Sequence, residues 1–134
     1  MSKKIAFGYY GGKYSHLDWL LPLLPQTKYY CEPFGGSLAV LLNREPSEVE
    51  TYNDIYEDVV NFFTVLRKEK ERFIEFVSLI PFSRREFGKA CENKDLSNFD
   101  RAVNFYVRAR QVRSGLAQKA TIGRPIAKQH LAEE

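Results

Sequence analysis

The chain has 134 residues, 44% of them hydrophobic and 28% charged, with a net charge of +3. That is the composition of one soluble globular domain, with enough apolar material for a modest core. Cys31 and Cys91 stand far apart without metal-like spacing, so they read as reduced thiols in a cytoplasmic protein with no metal site.

The N-terminal Met1-Ser2-Lys3-Lys4-Ile5 is basic, but Tyr, Gly, Lys and His follow at once, so it does not read as a signal peptide. Residues 17–24 are the most apolar later stretch. They contain Asp18 and Pro22 and are far too short for a membrane span. Lys28-Tyr29-Tyr30-Cys31 predicts a short strand that stops at the Gly-rich turn Glu32-Pro33-Phe34-Gly35-Gly36-Ser37. Ser37 is placed to N-cap a helix over the apolar residues 38–42, which Glu45-Pro46-Ser47 would end. Val49-Glu50-Thr51-Tyr52 alternates as a second strand and runs into Asn53-Asp54. Beyond it, Val59, Val60, Phe62, Phe63 and Leu66 fit one face of a helix. Strand, Gly turn, helix, strand, acid and helix together read as the opening of a parallel α/β sheet.

From Phe73 onward the pattern is helical. Phe73, Phe76, Val77 and Ile80 recur at helical spacing until Pro81, and Ser83 with Glu86 reads as a capping box. A third helix is predicted over residues 99–112, with Val103, Tyr106 and Val107 as its buried stripe. The weak periodicity of residues 114–134 predicts a poorly ordered basic tail. Residues 1–100 hold 13 Lys+Arg against 15 Asp+Glu, net −2, and residues 101–134 hold 7 against 2, net +5. A one-signed stretch of this kind suits either a phosphate partner or a solvated helix face.

The chemistry concentrates around the Gly turn. Glycine lets a ligand approach the backbone with no Cβ in the way. Asp54 follows Glu32 by twenty-two residues, at the predicted carboxyl end of the second strand. An acid there is placed to accept hydrogen bonds from both ribose hydroxyls of an adenosine, or to cap the next helix. A dinucleotide site wants Gly-x-Gly-x-x-Gly, whereas the turn here reads Gly35-Gly36-Ser37-Leu38-Ala39. Glu32 would repel a pyrophosphate and attract a sulfonium or ammonium. That combination favours S-adenosylmethionine over NAD.

Three segments in order carry a more specific likeness. They are Tyr9-Tyr10-Gly11-Gly12-Lys13, then Glu32-Pro33-Phe34-Gly35-Gly36-Ser37, then Tyr52-Asn53-Asp54 followed by Val59-Val60-Asn61-Phe62-Phe63. In them the chain resembles the DNA adenine-N6 methyltransferases of the Dam group, its phage and prophage members especially. The likeness is clear from Phe7 to Phe63 and looser to Gly115. It implies a Rossmann-like methyltransferase sheet and S-adenosylmethionine as cofactor. By position it implies that Tyr9 and Lys13 contribute to the cofactor pocket, that Glu32, Phe34, Gly35 and Gly36 wrap the methionine end, and that Asp54 holds the ribose. One departure is Leu38, where many relatives carry a third glycine.

The resemblance also implies an Asp-Pro-Pro-Tyr segment that receives an adenine flipped out of double-stranded DNA. The six prolines here include no adjacent pair, so that segment is absent from these 134 residues. The expectation is an α/β chain with an incomplete sheet, inactive alone, or a non-catalytic module binding S-adenosylmethionine or DNA. Residues 1–70 would hold the cofactor, residues 71–113 would open a helical DNA-recognition region, and residues 114–134 would be the tail. Among Arg101, Arg108, Arg110 and Arg113, the last three are the candidate DNA contacts. A missing C-terminal half or a second chain would complete the fold.

Overall fold

The computed structural model describes residues 2–92 and 95–112. Arg113 and the predicted tail lie outside them. Both expected strands form, as β1 (Tyr29–Glu32) and β2 (Val49–Tyr52), and they pair in parallel with Tyr29 opposite Val49 and Glu32 opposite Tyr52. Before β1 the chain makes a string of single helical turns that includes α1 (Leu17–Leu20), with Pro22 starting the last of them. After β2 come α2 (Glu57–Lys68), α3 (Lys70–Ser78), α4 (Arg84–Ala90) and α5 (Asn98–Gln111). The result is a mixed α/β chain.

Local chemistry explains where the helices start. The Ser83 hydroxyl accepts the Glu86 N–H at 3.1 Å to open α4, and Ser97 accepts the Asp100 N–H at 3.1 Å to open α5. The acids Glu57 and Asp58 begin α2 while Arg67 and Lys68 end it, each complementing the helix dipole.

The predicted helix over residues 38–42 does not form. Leu38 sits at φ +57°, a left-handed conformation from which an α-helix cannot propagate. The Leu42 N–H reaches the Leu38 carbonyl and the Arg44 N–H reaches that of Val40, both at 2.9 Å. Between them, the Ala39 carbonyl is taken by the Asn43 side-chain amide at 2.7 Å, while the Asn43 N–H turns to Val40. A side chain competing for a backbone acceptor breaks the helical ladder. Residues 38–42 form a run of turns instead, with Leu38, Ala39 and Val40 buried and Leu41 and Leu42 half-buried. Leu38 thereby adopts the backbone geometry that glycine adopts most cheaply.

The core is built almost wholly from helices. Val59, Phe62 and Val65 of α2 meet Phe73 of α3, Phe87 of α4 and Ala102, Val103, Phe105 and Val107 of α5. Phe7, from the N-terminal segment ahead of α1, inserts into this layer with ring centroids 5.1 Å from Phe62 and 5.0 Å from Phe105, both edge to face. The core thus runs continuously across residue 70. No residue of β1 or β2 is among the buried hydrophobics.

An ion-pair network ties the helices on the other side. Asp58 accepts from Arg101 at 2.8 Å and from Arg108 at 3.2 Å, and Arg108 also donates to the Ala90 carbonyl at 2.7 Å. Arg108 is only 3% exposed. It acts as a buried cross-link of α2, α4 and α5, so the surface role in DNA contact expected for it does not match its position. A helix that appeared to have one apolar stripe is in fact covered on several sides, and Asp58, fifty residues earlier, supplies the compensating charge.

Candidate functional site

The ends of both strands open on one cavity of about 570 Å³, within the range of small-molecule sites. Its lining contains Tyr9, Lys13, Glu32, Phe34, Gly35, Gly36 and Asp54 together. These residues come from three separated segments and converge because the parallel pairing puts both strand ends side by side.

The backbone of the site is held by a small set of hydrogen bonds. The Gly35 N–H donates to the Asn53 carbonyl at 2.9 Å, and the Asn53 amide donates to the Pro33 carbonyl at 3.1 Å. Asp54 completes the link. One carboxylate oxygen accepts the Gly36 N–H at 2.9 Å and the other accepts the Tyr56 N–H at 2.8 Å. Helix α2 begins only at Glu57, with Tyr56 as its capping residue, so Asp54 clamps two turns rather than capping the helix directly. Each carboxylate oxygen keeps a second lone pair for another donor.

Both glycines are required by their surroundings. A Cβ on Gly35 would collide with the Tyr52 ring, and one on Gly36, at φ +52°, would lie 3.1 Å from the Tyr9 ring. The Gly12 N–H closes a turn onto the Tyr9 carbonyl at 2.9 Å, with Gly11 at φ +73°. Lys13 is exposed, with its ammonium 3.3 Å from the Gly11 carbonyl. Phe34 is 88% exposed at the rim.

The electrostatics are acidic and partly desolvated. Burial pushes the Glu32 carboxyl above its ordinary range, opposed by a hydrogen bond from Tyr30, by the Leu41 N–H and by the Arg44 charge. Burial and then the Asp54 charge raise the Tyr9 phenol. Tyr52 is raised by the same two causes, and its hydroxyl is buried without a hydrogen-bond partner among the described residues. Two carboxylates, with Lys13 as the one cation among the described lining residues, make a poor phosphate cradle. They suit a ligand with a positive end and with hydroxyls to donate. Tyr30 also lines the cavity and touches Glu32, a role that its place in an aromatic strand did not reveal.

The arginines lie elsewhere. Exposed Arg110 donates to the Tyr106 hydroxyl at 3.0 Å and borders a separate groove of about 480 Å³ that shares no lining residue with the strand-end cavity. Among the described residues no group of His, Cys, Asp and Glu is arranged to hold a metal, and no helix is long and apolar enough to cross a membrane.

Parallel strands ending at a shared cavity place the chain among mixed α/β proteins with a strand-end site. Comparison with known families narrows this: residues 9–124 match the D12 class N6 adenine-specific DNA methyltransferase family. The chain belongs to that family. It is 36% identical over 77 residues to the DNA adenine methylase of two Vibrio cholerae strains, a match covering 55% of this chain and 27% of that protein. It is 35% identical over 72 residues to the DNA N-6-adenine-methyltransferase of Escherichia phage P1, covering 54% of this chain and 9% of that protein. The matched part of this chain thus spans about a quarter or less of the length of these relatives.

Proposed function

We propose that this chain is the S-adenosylmethionine-holding part of a site-specific DNA adenine-N6 methyltransferase. The observation that carries the reading is the convergence of all seven expected cofactor residues on one cavity. The donor set fits the cofactor. Glu32 faces its cationic methionine end, Asp54 accepts the ribose hydroxyls on its remaining lone pairs, and the Gly35-Gly36 turn leaves the backbone open to close approach. Tyr9, packed on Gly36, and exposed Phe34 offer apolar walls. Lys13 at the mouth pairs with the cofactor's carboxylate.

When bound, the cofactor supplies an electrophilic methyl group. The contribution of these residues is to bind and orient it, and to exclude water from one side. Reception of the adenine amino group requires contacts of the Asp-Pro-Pro-Tyr kind. With no Pro-Pro pair in these 134 residues, those contacts come from other polypeptide, which also extends the two-stranded Rossmann-like sheet. Residues 1–70 form the cofactor part. Residues 71–113 begin the region that meets double-stranded DNA, with Arg110 and Arg113 as contacts to phosphate or base edges.

The same absence favours a second reading, a module that binds S-adenosylmethionine or DNA without turnover. Calorimetry with S-adenosylmethionine and with NAD tests the cofactor. Binding of NAD with no response to S-adenosylmethionine overturns the assignment. Incorporation of label from tritiated cofactor into DNA by this chain alone would show that it needs no further acceptor segment.

A further inference from the structure

Glu32 is held by a chain of contacts that begins outside the cavity. The Tyr30 hydroxyl donates to Glu32 Oε1 at 2.9 Å, although strand geometry alone sets the two side chains apart by a full pleat repeat. On the face of the Tyr30 ring lies the Arg44 guanidinium, 3.8 Å from the centroid. The Arg44 side chain is only 4% exposed, donates to the Ser47 hydroxyl at 2.9 Å and sits 3.5 Å from Glu50. Ser47 is fixed in turn, since its hydroxyl donates to the Thr27 carbonyl at 2.7 Å and its N–H to Glu50 at 3.1 Å. A buried arginine is costly unless its environment is built around it. Here that environment pairs the guanidinium with Glu50 on one side and leads through the Tyr30 ring to Glu32 on the other.

We propose that Tyr30 and Arg44 are positioning residues for the cofactor site, with Arg44 fixing the Tyr30 ring so that its hydroxyl orients the Glu32 carboxylate. This rests on the reading of Glu32 as a cofactor contact. The phenol suits the task because burial and the hydrogen bond to Glu32 push it up to about 12, so it remains a donor at every pH where the site works. The groups facing Glu32 are Tyr30 on its own strand, Arg44 and the Leu41 N–H from the segment after the Gly turn, and Glu50 and Tyr52 from β2. Burial and Glu50 oppose the charged form of Glu32, whereas Tyr30, Leu41 and Arg44 favour it. Removing the phenol hydroxyl therefore raises the pH below which the carboxylate is lost.

The test follows the Glu32 carboxyl by carbon NMR across the acidic range, without cofactor, in the parent chain and in Tyr30→Phe. The titration midpoint moves upward by roughly half a unit to one unit in the variant, and an unchanged midpoint overturns the proposal. If Tyr30→Phe fails to fold, Arg44→Lys reads the same quantity, because it keeps the charge and loses the flat contact with the ring. Affinity for S-adenosylmethionine is then measured against pH. In Tyr30→Phe it falls by about three- to tenfold at pH below both titration midpoints, the fold-change that a shift of half a unit to one unit sets, and the loss shrinks toward neutrality as Glu32 ionises. A loss equal at all pH values shows a merely structural role and overturns the proposal. If the parent chain binds no S-adenosylmethionine, the cofactor reading fails, while the carboxyl titration still decides whether Tyr30 governs Glu32.

Discussion

Replacing Asp54 with alanine separates the two tasks assigned to that carboxylate. In the structure it accepts the Gly36 N–H at 2.9 Å and the Tyr56 N–H at 2.8 Å. A hydrogen bond to a charged group contributes roughly 1.5–3 kcal/mol when buried. Asp54 is only half-buried, so water replaces part of each bond, and the lower bound applies. Loss of both lowers the unfolding free energy by about 2–3 kcal/mol, read from urea denaturation. Two ribose hydroxyls on the same acid contribute about 3 kcal/mol more to binding, or a hundredfold in affinity for S-adenosylmethionine by calorimetry. Asp54→Asn sharpens the comparison. Its amide oxygen satisfies one backbone N–H, but its NH₂ group meets the other donor face to face, so it behaves more like alanine than its size suggests. If Asp54→Ala loses stability while cofactor affinity changes less than about threefold, the residue is only a clamp between turns and the ribose assignment falls.

Three further substitutions test the surroundings of the site. Gly35→Ala drives a methyl group into the Tyr52 ring and costs about 1–3 kcal/mol of stability; adding Tyr52→Leu recovers part of that in the melting temperature, and no recovery would refute the steric account. Leu38→Gly relieves a left-handed backbone worth about 1 kcal/mol but removes a side chain only 6% exposed, whose loss costs roughly 2–5 kcal/mol; the variant is therefore less stable in urea, and a gain in stability would show that strain outweighs packing. Asp58→Ala takes the shared carboxylate from both Arg101 and Arg108 and costs about 2–3 kcal/mol, discounted because Arg101 is partly solvated; Asp58→Leu with Arg108→Met recovers part of it, since the Ala90 carbonyl loses its donor, and an unfolding midpoint unchanged by Asp58→Ala would remove the network from the account of stability.

The sequence announced those parts of the molecule whose causes are local. Both strands, the Ser83 helix start and the burial of Val59, Phe62 and Phe73 follow from period, cap and turn chemistry. Three features did not follow, each for a reason of distance or competition. Residues 38–42 look helical, but the Asn43 amide claims a carbonyl the helix needs. Arg108 looks like a surface cation, but its partner Asp58 lies fifty residues away. Phe7 stands outside every predicted element, yet its ring packs into the aromatic core. In the site, the acids and glycines were legible because spacing along an α/β pattern predicts where strand ends meet. The Tyr30–Arg44 support was not, since nothing in an aromatic strand tells which ring will carry a guanidinium.

The uneven burial of the fold bears on how the protein responds to its ligand. The helices share a dense aromatic layer, whereas the strands that shape the cavity put no residue among its buried hydrophobics and only lay Tyr52 against its edge. Amides of β1 and β2 should then exchange with solvent through openings far cheaper than global unfolding, while those of α2 and α5 wait for the whole domain. A ligand that binds only the closed form adds its binding free energy to that local equilibrium, about 2.7 kcal/mol at a hundred times its dissociation constant. Saturation with cofactor would slow exchange in the strands by some two orders of magnitude and leave the helical layer comparatively unmoved. The ligand would be a structural member of the half of the domain that holds it.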